Sequence, residues 1–600
     1  MTISPPGEAE ARRGAIRLDL AVAVALALVL TIGWSITDWP RLSRMLLPDP
    51  DDMMRLAQVR DWLAGQGIND WTQYRMAPPL GSPMHWSRIN DFGIAAIILG
   101  LTPLLGRAHA EMAAVLLYPG LLFACAIFLS ARIGRRLWGA EAGPVAAVLT
   151  ALAYPGTTVF IPGRIDHHAL QVVLIQLLVL ALMRAPNARA GAAAGLLTAL
   201  SLIVGLETGP QVVALLSVLA LFWVCRGMDE RARLAGFAAA LGGTTLFFLA
   251  FLRPTYWTAS LCDAFTPASS TAMLAVAAAM GALAVLTPRL RDWRLRIGVG
   301  ALLGGAAIGG TLIAFPSCIN GPYGVMDPFL REAFLPYIDE ANGVLQQPRL
   351  AKIVSIGGML GMACIVTIWM LVRERRRWAV LLPDAAVVLA SGLVTLAQVR
   401  GVYIGAPLAA PMLAVLVPLA RTRVRWRLPL VVAAWLAGAG MVYVTIADQL
   451  EMRLQPRGAG EPAKGVNPPK VQVLCSAGDA WRQVDRVKPG VIMAGTNVAA
   501  YVIGATHHAT IGAGYHRNDR GNMAMYRFFL GKPEESRAIA QAWRADYVLF
   551  CPGDFDEIQV ATNFPASLAA QLRAGRRPDW LEPIPLAGTP LEFYRIRRMR

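Results

Sequence analysis

The sequence predicts a polytopic α-helical membrane protein with a small α/β domain at its C-terminal end, outside the membrane. Three observations predict it. Of 600 residues, 56% are hydrophobic and only 16% are charged, against about 25% charged in an ordinary soluble domain. Apolar runs of the roughly 20 residues that a helix needs to cross a bilayer recur as far as residue 446. Beyond residue 455 the pattern changes to short Val-, Ile- and Tyr-rich runs between helical stretches, as in a mixed α/β fold.

The first apolar run, 18–36, follows Arg12, Arg13 and Arg17 and lacks a small-residue cleavage site, so it reads as an uncleaved first span. Further runs fall at 110–131, 137–154, 169–183, 190–207, 210–225, 234–252, 270–287, 297–315, 353–372, 379–397, 402–420 and 428–446. That makes about 13 transmembrane helices. A run at 92–106 is short and contains Pro103, and reads as a segment lying in the interface.

Charge orders these runs. With a cytoplasmic N-terminus and thirteen spans, the arginine clusters at 132–136, 184–189, 226–233, 289–296, 373–377 and 421–427 all fall on the cytoplasmic side, as the positive-inside rule requires. Counting 92–106 as a span would place them all outside. The net charge of +17 and the pI near 10 thus reflect orientation in a membrane, and nucleic acid is not an expected partner. The expected location is the plasma (inner) membrane. Residues 1–454 would form the transmembrane domain, with external loops 37–109 and 316–352, and 455–600 a periplasmic domain after the linker beginning at Arg457. All seven histidines (His85, His109, His167, His168, His507, His508 and His516) then lie outside. Of seven cysteines, Cys125, Cys225 and Cys364 sit in spans and are expected to pack there. Cys262 with Cys318 and Cys475 with Cys551 are the pairings favoured by location in an oxidising compartment.

The polar residues that stand out share the external face. Gly163-Arg164-Ile165-Asp166-His167-His168-Ala169-Leu170-Gln171 sets five polar side chains between two apolar runs, a costly arrangement at a membrane. It reads either as a polar cap on the next span or as part of a metal site. Asp49, Asp51 and Asp52 lie just outside the first span, with Arg55 close behind. One acid there caps a helix; three facing Asp166 and His168 point to a hard divalent cation, Mg2+ or Mn2+. The strong Cys/His spacings of a zinc site are missing. Loop 316–352 is long and carries Glu340, placed to reach a cleft or to stay solvated. Arg400 breaks the charge rule at an external turn, either as a phosphate ligand or as an interfacial anchor. Glu207, at the outer end of the fifth span, is an acid with no evident use.

Together these residues resemble the catalytic subunits of oligosaccharyltransferases, of the archaeal and bacterial type, within the GT-C class of membrane glycosyltransferases. Asp49-Pro-x-x-x-x-Arg55 looks like the family's first external motif, and Asp166-His167-His168 like the archaeal form of its second. Glu340 sits where the family keeps a glutamate on its mobile fifth external loop, and Arg400 matches an arginine near the donor pyrophosphate. The resemblance implies a GT-C-like transmembrane domain and a metal held by Asp49, Asp166 and His168. It also implies Asp49 or Glu340 as the group that orients or deprotonates the acceptor, and Arg400 on the donor phosphate. Asp51, Asp52, His167, Arg55 and Glu207 would be accessory. The family's Trp-Trp-Asp acceptor motif is missing: Gly495-Thr496-Asn497-Val498 stands in its expected place.

The expected activity is metal-assisted transfer of a sugar or oligosaccharide from a polyprenyl-phosphate or polyprenyl-diphosphate donor to an external acceptor, with membrane lipid as the surroundings. Without Trp-Trp-Asp, a lipid or glycan hydroxyl stands as an alternative acceptor to protein Asn. A transporter is the alternative of another class; it would place ionisable residues at mid-membrane.

Overall fold

A computed structural model describes residues 6–257, 261–321, 323–324, 326–333, 336, 342–422, 427–454, 475–476 and 479–597. Every expected apolar run carries a helix. Among the described residues eight helices are long and apolar enough to cross a membrane, or nine if the bent pair Arg427–Gly438 and Gly440–Arg453 is one span. The protein is therefore a multi-pass membrane protein. Three of the expected spans are shorter than their apolar runs. Run 137–154 begins inside the helix Arg107–Trp138, breaks at Gly139 with φ +93°, and resumes only as Ala142–Ala151. Runs 169–183 and 190–207 give helices of 15 and 17 residues, His168–Leu182 and Ala188–Val204. The segment read as non-spanning is the helix Ile89–Leu105.

Small residues set the helix packing. Gly191 and Gly195, one turn apart, face the helix Arg231–Phe251. A Cβ on Gly195 would lie 2.3 Å from the Phe237 carbonyl, and one on Gly191 2.0 Å from that of Arg233. Close backbone approach replaces the hydrophobic driving force that lipid cannot supply. Gly195→Val is expected to destabilise the detergent-solubilised protein by about 1–3 kcal/mol through overpacking, read as a lower thermal midpoint. An unchanged midpoint would count against this contact. At the same end of the bundle, Asp19 of the first helix pairs with Arg132 and Arg135.

The C-terminal segment forms a five-stranded sheet. A hairpin in loop 37–109 supplies β1 (Thr72–Gln73) and β2 (Ser82–Pro83). The sheet comprises β3 (Val491–Ala494), β4 (Ala509–Thr510), β5 (Tyr547–Phe550), β6 (Leu581–Ile584) and β7 (Glu592–Ile596), in the order β4-β3-β5-β7-β6. Strands β3, β4 and β5 are parallel, and β6 and β7 antiparallel. This segment shares its core with loop 37–109: Met53, Met54 and Leu56 pack with Ala499, Val502 and Leu549. Loop 316–352 joins from another side, through Met326 and Leu330 against Phe528 and Phe529. The segment is thus seated directly on loops 37–109 and 316–352.

The disulfides Cys262–Cys318 and Cys475–Cys551 are both present. Cys125 and Cys225, expected to pack within the bundle, are instead exposed on outward helix faces.

Asp554 lies buried under the turn after β5, its Oδ2 accepting the Cys551 N–H at 3.2 Å. Burial pushes its carboxyl up to about 7. The unfolded chain gives up that proton near pH ~3.9. Between these values the folded state holds the extra proton, so stability falls as pH rises through the window. Asp554→Asn is expected to remove on the order of 2–4 kcal/mol of this dependence, measured as thermal midpoint against pH from 4 to 8. An equally steep slope in the variant would contradict it.

Candidate active site

The site begins at the helix Pro50–Leu63. Asp49 is its N-cap, accepting the Asp51 N–H at 3.0 Å, and Pro50 opens the first turn. Both are favoured helix starts. This helix lies against the turn that carries Gly163 to Asp166. Gly163 has φ +89°, and a Cβ there would lie 2.8 Å from Pro48 Cδ, so the turn needs glycine.

Asp52 fastens the two pieces. It is fully buried, and its Oδ1 accepts the N–H groups of Ile165 at 2.8 Å and Asp166 at 2.9 Å. Arg164 folds back onto the same helix, its Nη1 2.7 Å from Asp49 Oδ2 and its Nε 3.5 Å from Asp52 Oδ2. Arg55, also buried, reaches Asp91 Oδ1 at 3.2 Å and Asp166 Oδ1 at 3.1 Å. Its guanidinium lies 4.4 Å from the centre of the Trp86 ring. Asp52 and Arg55 therefore hold Asp166 in place.

Asp166 is the hub. Its Oδ1 is 2.6 Å from His167 Nδ1, and its Oδ2 is 3.4 Å from His168 Nε2. Oδ2 is buried and has no hydrogen-bond partner among the described residues. Burial opposes its charge, but His167, His168 and Arg55 override it and hold the carboxyl well below the usual range. His167 turns its Nε2 to Glu207 Oε1, 3.3 Å away. Burial would keep this ring neutral; the two carboxylates push it up to about 10. Glu207 also accepts from Gln171 Nε2 at 3.0 Å.

These groups open on a cavity of about 320 Å³ lined by Asp51, His85, His168, Gln171, Glu207, Asp263, Tyr323, Arg400, Tyr403, Tyr515 and His516, within the size range of small-molecule sites. Arg400 precedes the helix Gly401–Leu413 and donates from Nη1 to the Tyr323 hydroxyl at 3.4 Å. An apolar groove of about 740 Å³ meets this cavity at Leu206, between Leu202, Val213, Met273 and Ala301.

The structure brings Asp166, His167 and His168 together, their ligating atoms all within 4.8 Å of one another. It sets Glu207 against His167 and places Asp51 and Arg400 on the cavity wall. Asp49 is absent from that tight group; Arg164 holds its Oδ2. Glu340 lies outside the described residues. Sequence reasoning missed the structural parts of Arg164, Asp91 and Trp86. It also missed a second cluster of His85, Asp263 and His516 on the same cavity. The one available signal for that cluster was the external placement of every histidine.

No protein-family model matches the chain, and no curated protein matches it by sequence. Solved structures do. The oligosaccharyltransferase of Archaeoglobus fulgidus tethered with an acceptor peptide containing the NVT sequon superposes with a TM-score of 0.63 at 15% identity, covering 97% of this chain and 74% of that one. The same archaeon's AglB in complex with an inhibitory peptide and a dolichol-phosphate gives 0.60 at 15%, covering 89% and 69%. Its complex with Zn and sulfate gives 0.59 at 16%, covering 89% and 67%. This chain has the oligosaccharyltransferase-like GT-C membrane fold.

Proposed function

We propose that this protein is a membrane glycosyltransferase that moves a sugar or oligosaccharide from a polyprenyl-phosphate or polyprenyl-diphosphate carrier to an external acceptor. The observation that carries this reading is the junction at Leu206 of an apolar groove with a cavity lined by His168, Glu207 and Arg400, with Asp166 Oδ2 3.4 Å from His168 Nε2. An isoprenoid tail fits the groove; a charged phosphate and a sugar need the cavity. The dolichol-phosphate bound by a protein of the same fold agrees with it.

The residues fit a divalent metal. Asp166 Oδ2 is buried without a hydrogen bond and stands 3.4 Å from His168 Nε2, so both can serve one ion. Asp49 would join them on exchanging Arg164. His167, engaged with carboxylates through both ring nitrogens, serves as a donor that fixes Asp166. A bound Mg2+ or Mn2+ supplies charge neutralisation at the departing phosphate. Arg400 contributes a fixed cation on the opposite wall, and Glu340 is retained as the family's loop glutamate. The site faces the periplasm in the orientation set by the arginine clusters.

The missing Trp-Trp-Asp favours a hydroxyl acceptor, on lipid, glycan or protein, over Asn. The gathering of Asp51, Glu207 and Asp263 on one cavity beside the Asp166 triplet speaks against a transporter. The test uses the full chain in nanodiscs with radiolabelled polyprenyl-phosphate and polyprenyl-diphosphate sugars. Label release or transfer that is abolished by EDTA and restored by Mg2+ or Mn2+ is expected. A sequon peptide and hydroxyl acceptors run in parallel separate the two acceptor classes. No turnover of either carrier type would overturn the reading.

A further inference from the structure

Part of the cavity wall is built from three distant stretches of chain. His85 comes from loop 37–109, Asp263 from the segment beside the Cys262–Cys318 disulfide, and Tyr515 and His516, followed by Arg517, from the C-terminal segment. Arg517 forks onto Asp263, Nε to Oδ2 at 2.9 Å and Nη2 to Oδ1 at 2.6 Å. Its Nη1 donates to the Met84 carbonyl at 3.1 Å and the Tyr256 hydroxyl at 3.0 Å, so the guanidinium is fixed. His516 donates from Nε2 to Asp263 Oδ2.

That bond decides the imidazole's tautomer. With the proton on Nε2, the lone pair is on Nδ1, which has no hydrogen-bond partner among the described residues. The His85 ring packs 4.9 Å from His516, and the Tyr323 ring 5.2 Å away, edge-on. Burial holds His85 well below the usual histidine range, so it stands as a neutral neighbour. Burial would raise the Asp263 carboxyl, but His516 and Arg517 hold it far below its ordinary value. It stays an anion beside the ring. A carboxylate that orients an imidazole and stabilises its protonated form is the arrangement of hydrolase triads.

We propose that His516 is the general base of this site, with Asp263 and Arg517 as its positioning residues. This rests on the glycosyltransferase reading with a hydroxyl acceptor. The acceptor oxygen forms the new bond to the anomeric carbon of the sugar. The bond from that carbon to the carrier phosphate oxygen breaks, and its electron pair leaves on the phosphate. The hydroxyl proton passes to His516 Nδ1 and then to solvent. A metal at His85, Asp263 and His516 is disfavoured because Arg517 already occupies both carboxylate oxygens of Asp263.

The test measures turnover of labelled polyprenyl-linked sugar by the full chain in nanodiscs, with water or a small alcohol as the accepting hydroxyl. His516→Ala and His516→Gln are expected to lower kcat about 100- to 10,000-fold, the usual contribution of a positioned base, with KM for the carrier little changed. Added imidazole should restore part of the His516→Ala rate, which a merely structural loss would not allow. Asp263→Asn should also lower kcat, and the double variant with His516→Ala should be no slower than His516→Ala alone, because the two act as a unit. Wild-type turnover with His516→Ala within about threefold of it, or without imidazole rescue, overturns this inference and leaves the glycosyltransferase reading standing. Loss of a stoichiometric transition metal in His516→Ala, by elemental analysis, overturns it in favour of a metal site. A wild-type chain that turns over no carrier overturns both readings.

Discussion

Asp166→Ala is expected to slow sugar transfer about a thousandfold. Several kcal/mol of charge stabilisation would be lost at the leaving phosphate, at about 1.4 kcal/mol per factor of ten. The prediction is specific to Oδ2. Oδ1 is already committed to Arg55 and His167, whereas Oδ2 is buried without a hydrogen bond, 3.4 Å from the Nε2 of His168, which lines the cavity. His168→Ala should weaken Mn2+ binding, measured by calorimetry, in step with the loss of rate. Asp52→Asn should act differently. Its amide oxygen still accepts the Ile165 and Asp166 N–H groups, so the loop stays in place and the rate falls less than for Asp166→Ala. Full activity in Asp166→Ala would remove the proposed metal site.

Arg55→Met is expected to cost about 3–5 kcal/mol of stability, the usual loss when one partner of a buried ion pair is removed. Arg55 is the shared cation of Asp91 and Asp166, all three being essentially inaccessible. Asp91 keeps Arg88 at 3.1 Å, and Asp166 keeps His167, but each loses a charge-assisted bond with no water to replace it. The face of Trp86 also loses its cation. Arg55→Lys should recover only part, since one ammonium cannot fork between two carboxylates. Thermal unfolding in detergent, with and without Mn2+, measures it. A shift worth under about 1 kcal/mol would mean that the pairs are not the clamp described here.

Much of the site was legible because it is local. Asp166, His167 and His168 are consecutive, so any turn opening a helix brings them together, and Asp49 before Pro50 is a helix start by composition alone. The individual parts of Asp52 and Arg55 were not legible. As accessory acid and base they carried no stated partner, yet Asp52 binds amides 113 and 114 residues away. The pairing of Arg164 with Asp49 was hidden for the same reason. The base cluster was the least legible part, since no spacing in the chain relates His85, Asp263 and His516.

Hydrophobic length and turn composition are properties of short stretches, and they sufficed for the membrane class, the helical runs, the C-terminal α/β segment and both disulfides. Tertiary structure alone decided which helices fall short of a full crossing, and that the C-terminal segment shares a core with loop 37–109. It also decided which carboxylates hold the backbone and which face the cavity. The physical reason is that a buried charge is tolerable only beside its partner, and partners chosen by packing can come from anywhere in the chain. The Asp166 triplet announces itself in one line of sequence; its supports and the wall opposite exist only once the distant loops have met.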